Sequence, residues 1–390
     1  MDFEFTPEQE AFRKEVQAFL EAEIAAGTFK PGCDGWTHTF SPVFTKKVAQ
    51  KHWIGITWPK KYGGQERSNW DRLIMTEEQV RYGAPAGGHW LGDRQIGRSL
   101  LAHGTEEQRQ YYLHGVANGD MLIGLGFSET EAGSDLGSAK LKAIENDDCF
   151  VMNGQKIWTS CAWDLTHIYV LGCTDPTAPK GRGLSEFIVD AKTPGITVRP
   201  IKDVNGHDIW GEVFFDDVKV PKNCLIGTKN KGFYQVLGQL DYERSGMERL
   251  MGNYPLYQGL FKYAKENLYD GKPVCEHPLF RSRLAQLMVE FEVGKILTYR
   301  VVDVIDKGKS PNVEASLAKF FCTTFEQKLA TVATDMLGLY GQLLPKSRYV
   351  PIDGLAPEIF LASKGYSLQG GTTEVCKNIV ATRGLGLPPV

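Results

Sequence analysis

The chain has no long apolar run, no paired cysteines and no excess of charge of one sign. Each absence narrows the field. No stretch approaches the ~20 apolar residues of a membrane-spanning helix, so no membrane span is expected. The eight cysteines are scattered and form no Cys-x-x-Cys pair, which points to free thiols in a reducing compartment rather than a zinc site or disulfide framework. A net charge of −3 leaves no electrostatic footprint for nucleic acid or an acidic membrane face. The N-terminus is acidic and opens into a helix pattern rather than a signal peptide, so a cytoplasmic location is expected. Composition is otherwise ordinary: 390 residues, 42% hydrophobic and 23% charged, enough for two or three structural units.

Thr6-Pro7-Glu8-Gln9 predicts a helix start, with Thr6 as N-cap, Pro7 in the first helical position and Gln9 closing a capping box. Phe12, Val16, Phe19 and Leu20 follow at helical spacing. Residues 70–83 and 87–118 also carry helical patterns, which gives a helical domain over 1–120. The character changes over 121–232, where short apolar runs alternate with turn residues. Asn153-Gly154 predicts a hairpin turn between Cys149–Met152 and Lys156–Thr159, and this middle domain is expected to be an antiparallel barrel or sandwich. Helical patterns return over 233–390, where a four-helix-bundle domain is expected. It ends in a helix near Thr372–Thr382 with Gly384 as its stop.

Three places carry residue types suited to chemistry. The loop Gly126–Asp135 places Ser128, Gly133 and Ser134 after an apolar run, and small residues let backbone N–H groups approach a polar cofactor. Val236, Leu240, Glu243, Met247 and Leu250 follow helical spacing, and Glu243 is the one charged residue on that stripe. A carboxylate there is either half of a buried ion pair, with Arg244 or Arg249, or a general base poised in an apolar cleft. Gly370-Gly371-Thr372-Thr373 precedes a helix and is either a loop with an N-cap or a backbone site for an anion or carbonyl oxygen. Trp158, in Asn153–Ser160, suits a sheet core when taken alone.

Four motifs in order extend over nearly the whole chain and resemble the acyl-CoA dehydrogenases. Trp53–Gly64 resembles that family's Gly-Trp…Trp-Pro…Tyr-Gly-Gly segment, and Phe127–Asp135 its flavin loop. Asn153–Ser160 resembles its Asn-Gly-x-Lys-x-Trp-Ile-Thr block, and Gly371–Arg383 its closing Gly-Thr-x-Glu…Arg segment. The resemblance implies FAD, with Phe127 and Ser128 at the flavin edge, Gly133 in that loop, and Ser134 near the pyrophosphate and CoA. Trp158, Thr159 and Ser160 would lie against the flavin, and Thr372 and Glu374 at its nucleotide end.

Most members place a glutamate immediately before the last Gly-Thr; here that position is Gly370. A minority resembling isovaleryl-CoA dehydrogenase place it in Leu-Asp-x-Glu-Arg, which matches Leu240–Arg244. The resemblance therefore implies Glu243 as the base that takes the α-proton of an acyl-CoA while the β-hydride goes to flavin N5. The Gly370 N–H would stabilise the thioester oxygen, and Asp241 and Arg244 would lie by the CoA entrance. Electrons would leave to an electron-transferring flavoprotein, from a homotetramer. Arg94 and Arg98 are either solvated or structural arginines or partners for a second substrate carboxylate, which leaves branched, aromatic and dicarboxylic acyl groups open. The usual Arg-x-x-Phe-Gly contact to a neighbouring subunit's FAD is not recognisable; Arg281 or Arg283 stands nearest in the sequence, and a reduced Gly-Gly-x-Gly turn remains at Gly338–Gly341. A flavin oxidase or monooxygenase on the same fold, or a non-catalytic partner in a mixed tetramer, are the alternatives.

Overall fold

The computed structural model describes residues 4–37, 39–243 and 246–388, without the side chains of 241–243. The chain forms two compact units. One comprises Met1–Gly35, Asn69–Ala84 and Arg244–Val390; the other comprises Trp36–Ser68 and Pro85–Glu243.

The first unit is helical apart from one short two-stranded ribbon. Its opening helix, Pro7–Ala25, has the expected cap: the Thr6 hydroxyl accepts from the Gln9 N–H, and the Gln9 side chain accepts from the Thr6 N–H. Phe12, Val16 and Leu20 are buried on its inner face. Arg13 ties it to the helix Asn69–Arg81 through Glu77 at 3.0 Å and Glu78 at 2.6 Å. The long helices Pro278–Asp306 and Asn312–Leu337 pack against each other, and Leu355–Tyr366 and Thr373–Ile379 pack on the second of them.

The second unit is built on one eight-stranded sheet. Its strands are β1 (Ile123–Gly126), β2 (Lys142–Glu145), β3 (Cys149–Ser160), β4 (His167–Cys173), β5 (Leu184–Asp190), β6 (Ile196–Lys202), β7 (Asp208–Pro221) and β8 (Leu225–Ile226). The order is β6-β7-β3-β2-β4-β5-β8, with β1 beside β4. Most pairings are antiparallel, but β1 and β2 each pair with β4 in parallel. The sheet is therefore mixed, mostly antiparallel and not a closed barrel, where an antiparallel barrel or sandwich was expected from the sequence. Phe150, Met152, Ile168, Val170, Phe187, Val213 and Phe215 form its core.

The expected hairpin is absent. Asn153-Gly154 lies inside β3, which runs unbroken alongside β7. The register slips between Met152 and Gly154, and Gly154 takes a φ of +140°. The Asn153 side chain donates to Asp217 Oδ1 and accepts from the Asp217 N–H, both at 3.0 Å. The dipeptide that makes hairpins here makes a β-bulge, because the alternating residues on both sides find one long partner strand.

Residues 87–103, the segment that the family resemblance places along the acyl pocket and here called the pocket segment, form a helix Gly87–Leu91, a π-helical turn Gly92–Ile96 and a helix Gly97–His103. The helix Gly232–Glu243 packs on this segment and on β5. It buries Gln235, Val236 and Gln239. Gly246 and Met247 are not helical, and helix is found again at Glu248–Met251. The expected stripe from Val236 to Leu250 is thus not carried by one continuous helix.

Candidate active site

The loop after β1 is held by a buried ion pair. Lys156, on β3 and fully buried, donates to the Phe127 carbonyl at 3.0 Å and to Glu129 Oε1 at 2.7 Å. Glu129 also accepts from the backbone N–H groups of Lys140 and Leu141, at 2.7 and 2.8 Å. The Ile157 N–H donates to the Ser128 carbonyl at 2.9 Å. Two motifs distant in sequence are thereby locked edge to edge. Burial pulls the Lys156 ammonium below the usual lysine range, and Glu129 opposes that shift. An ammonium this dry is tolerated because a carboxylate and a carbonyl take up its hydrogen bonds.

Beside this clamp the strand is strained. Trp158 has a φ of +63°, rare for a residue with a bulky side chain, and β3 slips register again between Lys156 and Thr159. Trp158 is 54% exposed and meets Trp210 edge to face, so it is not sheet core. Thr159 is fully buried, yet among the described residues its hydroxyl has no hydrogen-bond partner. Ser128 and Ser160 are half-buried, Phe127 is buried against Tyr169, and Gly133 and Ser134 are exposed.

Below the Gly232–Glu243 helix lies a buried polar network that the sequence reading did not single out. Glu186 of β5 accepts from Gln235 and from Gln239, each at 2.6 Å. Gln239 also donates to Ser99 of the pocket segment at 2.8 Å, and Ser99 hydrogen-bonds the Tyr169 hydroxyl at 2.8 Å. Burial pushes the Glu186 carboxyl up to about 7, against hydrogen bonds from Gln235, Tyr169 and Gln239. The available signal was a glutamate inside the apolar run Leu184–Val189, the same kind of anomaly that marked Glu243.

Arg94 is buried in the π-helical turn with its guanidinium 5.4 Å from the Trp90 ring centre, and Arg98 is half-buried one turn on. The main chain of Asp241 and Glu243 is helical, but their side chains fall outside the described residues, as does all of Arg244. The remaining expected residues belong to the helical unit. Gly370 and Gly371 both have positive φ, +64° and +90°. Thr372 caps the following helix, its hydroxyl accepting from the Val375 N–H at 3.1 Å, and Glu374 is exposed in the first turn. Gly338, at φ +56°, ends the helix Asn312–Leu337, and Arg281 is exposed near the start of Pro278–Asp306. Among the described residues no cluster of His, Cys, Asp and Glu suits a metal ion.

Three family models together span nearly the whole chain. They are the acyl-CoA dehydrogenase N-terminal domain at residues 6–120, the middle domain at 124–218 and the C-terminal domain at 230–385. The chain belongs to the acyl-CoA dehydrogenase family, whose members are flavoprotein oxidoreductases that generally bind FAD. It is 29% identical to acyl-CoA dehydrogenase FadE26 of Mycobacterium tuberculosis, over 100% of this chain and 99% of that one. It is 27% identical to glutaryl-CoA dehydrogenase of Desulfococcus multivorans, over 99% of each. Among solved structures, the Tcur3481-Tcur3483 steroid ACAD superposes with a TM-score of 0.91 at 28% identity, covering 100% of both chains.

The residues present fit a flavin. An exposed indole on a strained strand offers a flat apolar face, and the orphaned Thr159 hydroxyl beside it awaits a polar partner. The clamped loop 127–135 exposes main chain and hydroxyls at the neighbouring strand end.

Proposed function

We propose that the protein performs FAD-dependent α,β-dehydrogenation of an acyl-CoA thioester, with Glu243 as the base. One observation carries the choice of base. Position 370, where the commoner family pattern has its glutamate, is a glycine at φ +64°. A side chain in that left-handed conformation would cost roughly 1–2 kcal/mol. The alternative position, 243, ends a helix whose buried face is Gln235, Val236 and Gln239, and it follows Gln239 by four residues.

In this reading Glu243 removes the α-proton. The Gly370 N–H donates to the thioester oxygen as negative charge grows there, a type of contact typically worth about 3–4 kcal/mol in the transition state. FAD, when bound, supplies the hydride acceptor. Phe127, Ser128, Trp158, Thr159 and Ser160 hold its ring system, and Ser134, Thr372 and Glu374 its polar remainder. Asp241 and Arg244 are assigned to the CoA entrance, and Arg281 and Gly338 to contacts with FAD across a homotetramer. The electrons pass to an electron-transferring flavoprotein.

The acyl group is read as bulky: branched, aromatic or polycyclic. Support for that comes from full-length similarity to a protein titled a steroid ACAD. Arg94, buried over Trp90, is assigned to holding the pocket segment. Arg98 is kept as the candidate for a second carboxylate, as a glutaryl-type substrate would require.

The test is anaerobic flavin bleaching by a panel of thioesters: isovaleryl-CoA, 3-phenylpropionyl-CoA, glutaryl-CoA and a steroid side-chain propanoyl-CoA. At least one should bleach the wild-type flavin. Glu243→Gln should keep its FAD and lose bleaching by the same thioester. A variant that bleaches at the wild-type rate would remove Glu243 from the base role. Rapid peroxide formation in air would instead indicate an oxidase.

A further inference from the structure

Glu186 is an expensive residue to keep. It is fully buried, and the partners seen for its carboxyl among the described residues, Gln235, Gln239 and Tyr169, are uncharged. Burying a carboxylate without a cation is costly, and an apolar residue would pack β5 against a helix equally well. What an apolar residue cannot supply is axial register. Neighbouring helical residues differ by about 1.5 Å along the axis, and smooth apolar contacts tolerate sliding on that scale. Two short bonds from Gln235 and Gln239 to the two oxygens of one carboxylate do not.

Gln235 is pinned further: it accepts from the Thr228 N–H at 3.1 Å and donates to the Ile226 carbonyl at 3.2 Å. Gln239 carries the restraint on to Ser99 and Tyr169. The helix is thus fixed to β5, to β8 and to the pocket segment. Residues 235 and 239 are successive turns of one face, and the next turn of that face is position 243.

We propose that Glu186 is a positioning residue that sets the axial register of the Gly232–Glu243 helix, and through it the reach of the Glu243 carboxylate. This rests on the reading of Glu243 as the base.

The experiment uses the holoenzyme at pH 8, above the value of about 7 to which burial pushes Glu186, and the member of the thioester panel that bleaches it fastest. Tyr169 is the titratable group that contacts Glu186, and its hydroxyl, held well above its usual range, stays neutral there. Glu186→Gln keeps the shape but sets amide against amide. It should lower the limiting bleaching rate by about tenfold or more, as expected for a base displaced by about 1 Å. FAD content and the half-saturating thioester concentration should stay within roughly twofold, since neither depends on the base. The reciprocal double variant, Glu186→Gln with Gln239→Glu, restores a carboxylate–amide pair across the same gap. It should recover to within roughly threefold of wild type, a coupling that independent sites would not show.

A wild-type rate in Glu186→Gln, or a double variant no faster than the single, overturns the proposal. If Glu186→Gln fails to fold, Gln235→Met removes one of the two bonds and should lower the limiting rate without weakening half-saturation; a wild-type rate there overturns it equally. Glu243→Gln in parallel separates the two readings. If it bleaches normally, the base assignment falls and the positioning role falls with it. If it is dead while Glu186→Gln is fully active, only the positioning role falls.

Discussion

Gly97 has no room for a side chain. A Cβ there would sit inside contact distance of the Trp58 indole, which is almost wholly buried and cannot retreat. Gly97→Ala should therefore cost about 1–3 kcal/mol through overpacking. Urea denaturation would measure this, and a neutral substitution would mean that the indole has space to move. Trp58 belongs to the segment Trp53–Gly64, so part of that motif packs directly against Gly97, a contact its sequence alone does not reveal. Trp158, taken alone, suits a sheet core, and it is exposed. Lys156 passed as an ordinary residue of an alternating strand. Its burial depends on Glu129, 27 residues back in sequence, and local patterning holds no trace of a pairing at that range. Glu186 did leave a trace. A charged residue in a run whose neighbours are all buried needs an explanation, and here the explanation came from glutamines on a later helix.

At the scale of elements, periodicity located most strands and helices and failed where an element was modified internally. The N-terminal capping box follows from side-chain chemistry within four residues, and it formed as expected. Asn153-Gly154 carries equally local chemistry, yet a long partner strand turned it into a bulge. The helical pattern over 87–118 is interrupted at Gly104-Thr105, where Thr105 caps a new helix, and the π-helical turns Gly92–Ile96 and Arg109–Leu113 shift the helical period within each part. Spacing alone continues the stripe to Leu250, while Gly246 and Met247 are not helical and the unit boundary falls between Glu243 and Arg244.

For the molecule as a whole, two buried groups set opposing pH dependences of stability. Glu186 is raised from 4.5 to about 7 by burial. The folded state holds that proton more tightly than the unfolded chain, so its contribution is complete below 4.5 and fades as pH rises through 7. His89 is lowered from 6.5 to about 4, also by burial. Its contribution is complete above 6.5 and fades as pH falls through 4. Each shift corresponds to roughly 3 kcal/mol at most. Between about pH 5 and 6.5 the two slopes offset each other in the wild type. Glu186→Gln should expose the His89 slope, so that its Tm rises over that interval relative to wild type. Parallel Tm profiles for the two proteins would show that Glu186 does not titrate there. Glu326, buried and held well above its usual range, adds to the alkaline fall in both proteins and cancels in the comparison.

The bulge at Asn153-Gly154 also bears on how the protein ages. Asn-Gly is the dipeptide most prone to spontaneous deamidation, because the glycine nitrogen can attack the asparagine amide when the backbone is free to bend. Here the amide is held from both ends by Asp217, and the backbone is part of a strand paired with β7. Stored folded protein should keep Asn153 intact over the period in which a synthetic peptide of residues 149–158 deamidates, as peptide mass spectrometry would show. Equal rates would mean that this stretch of sheet opens far more readily than its hydrogen bonds imply.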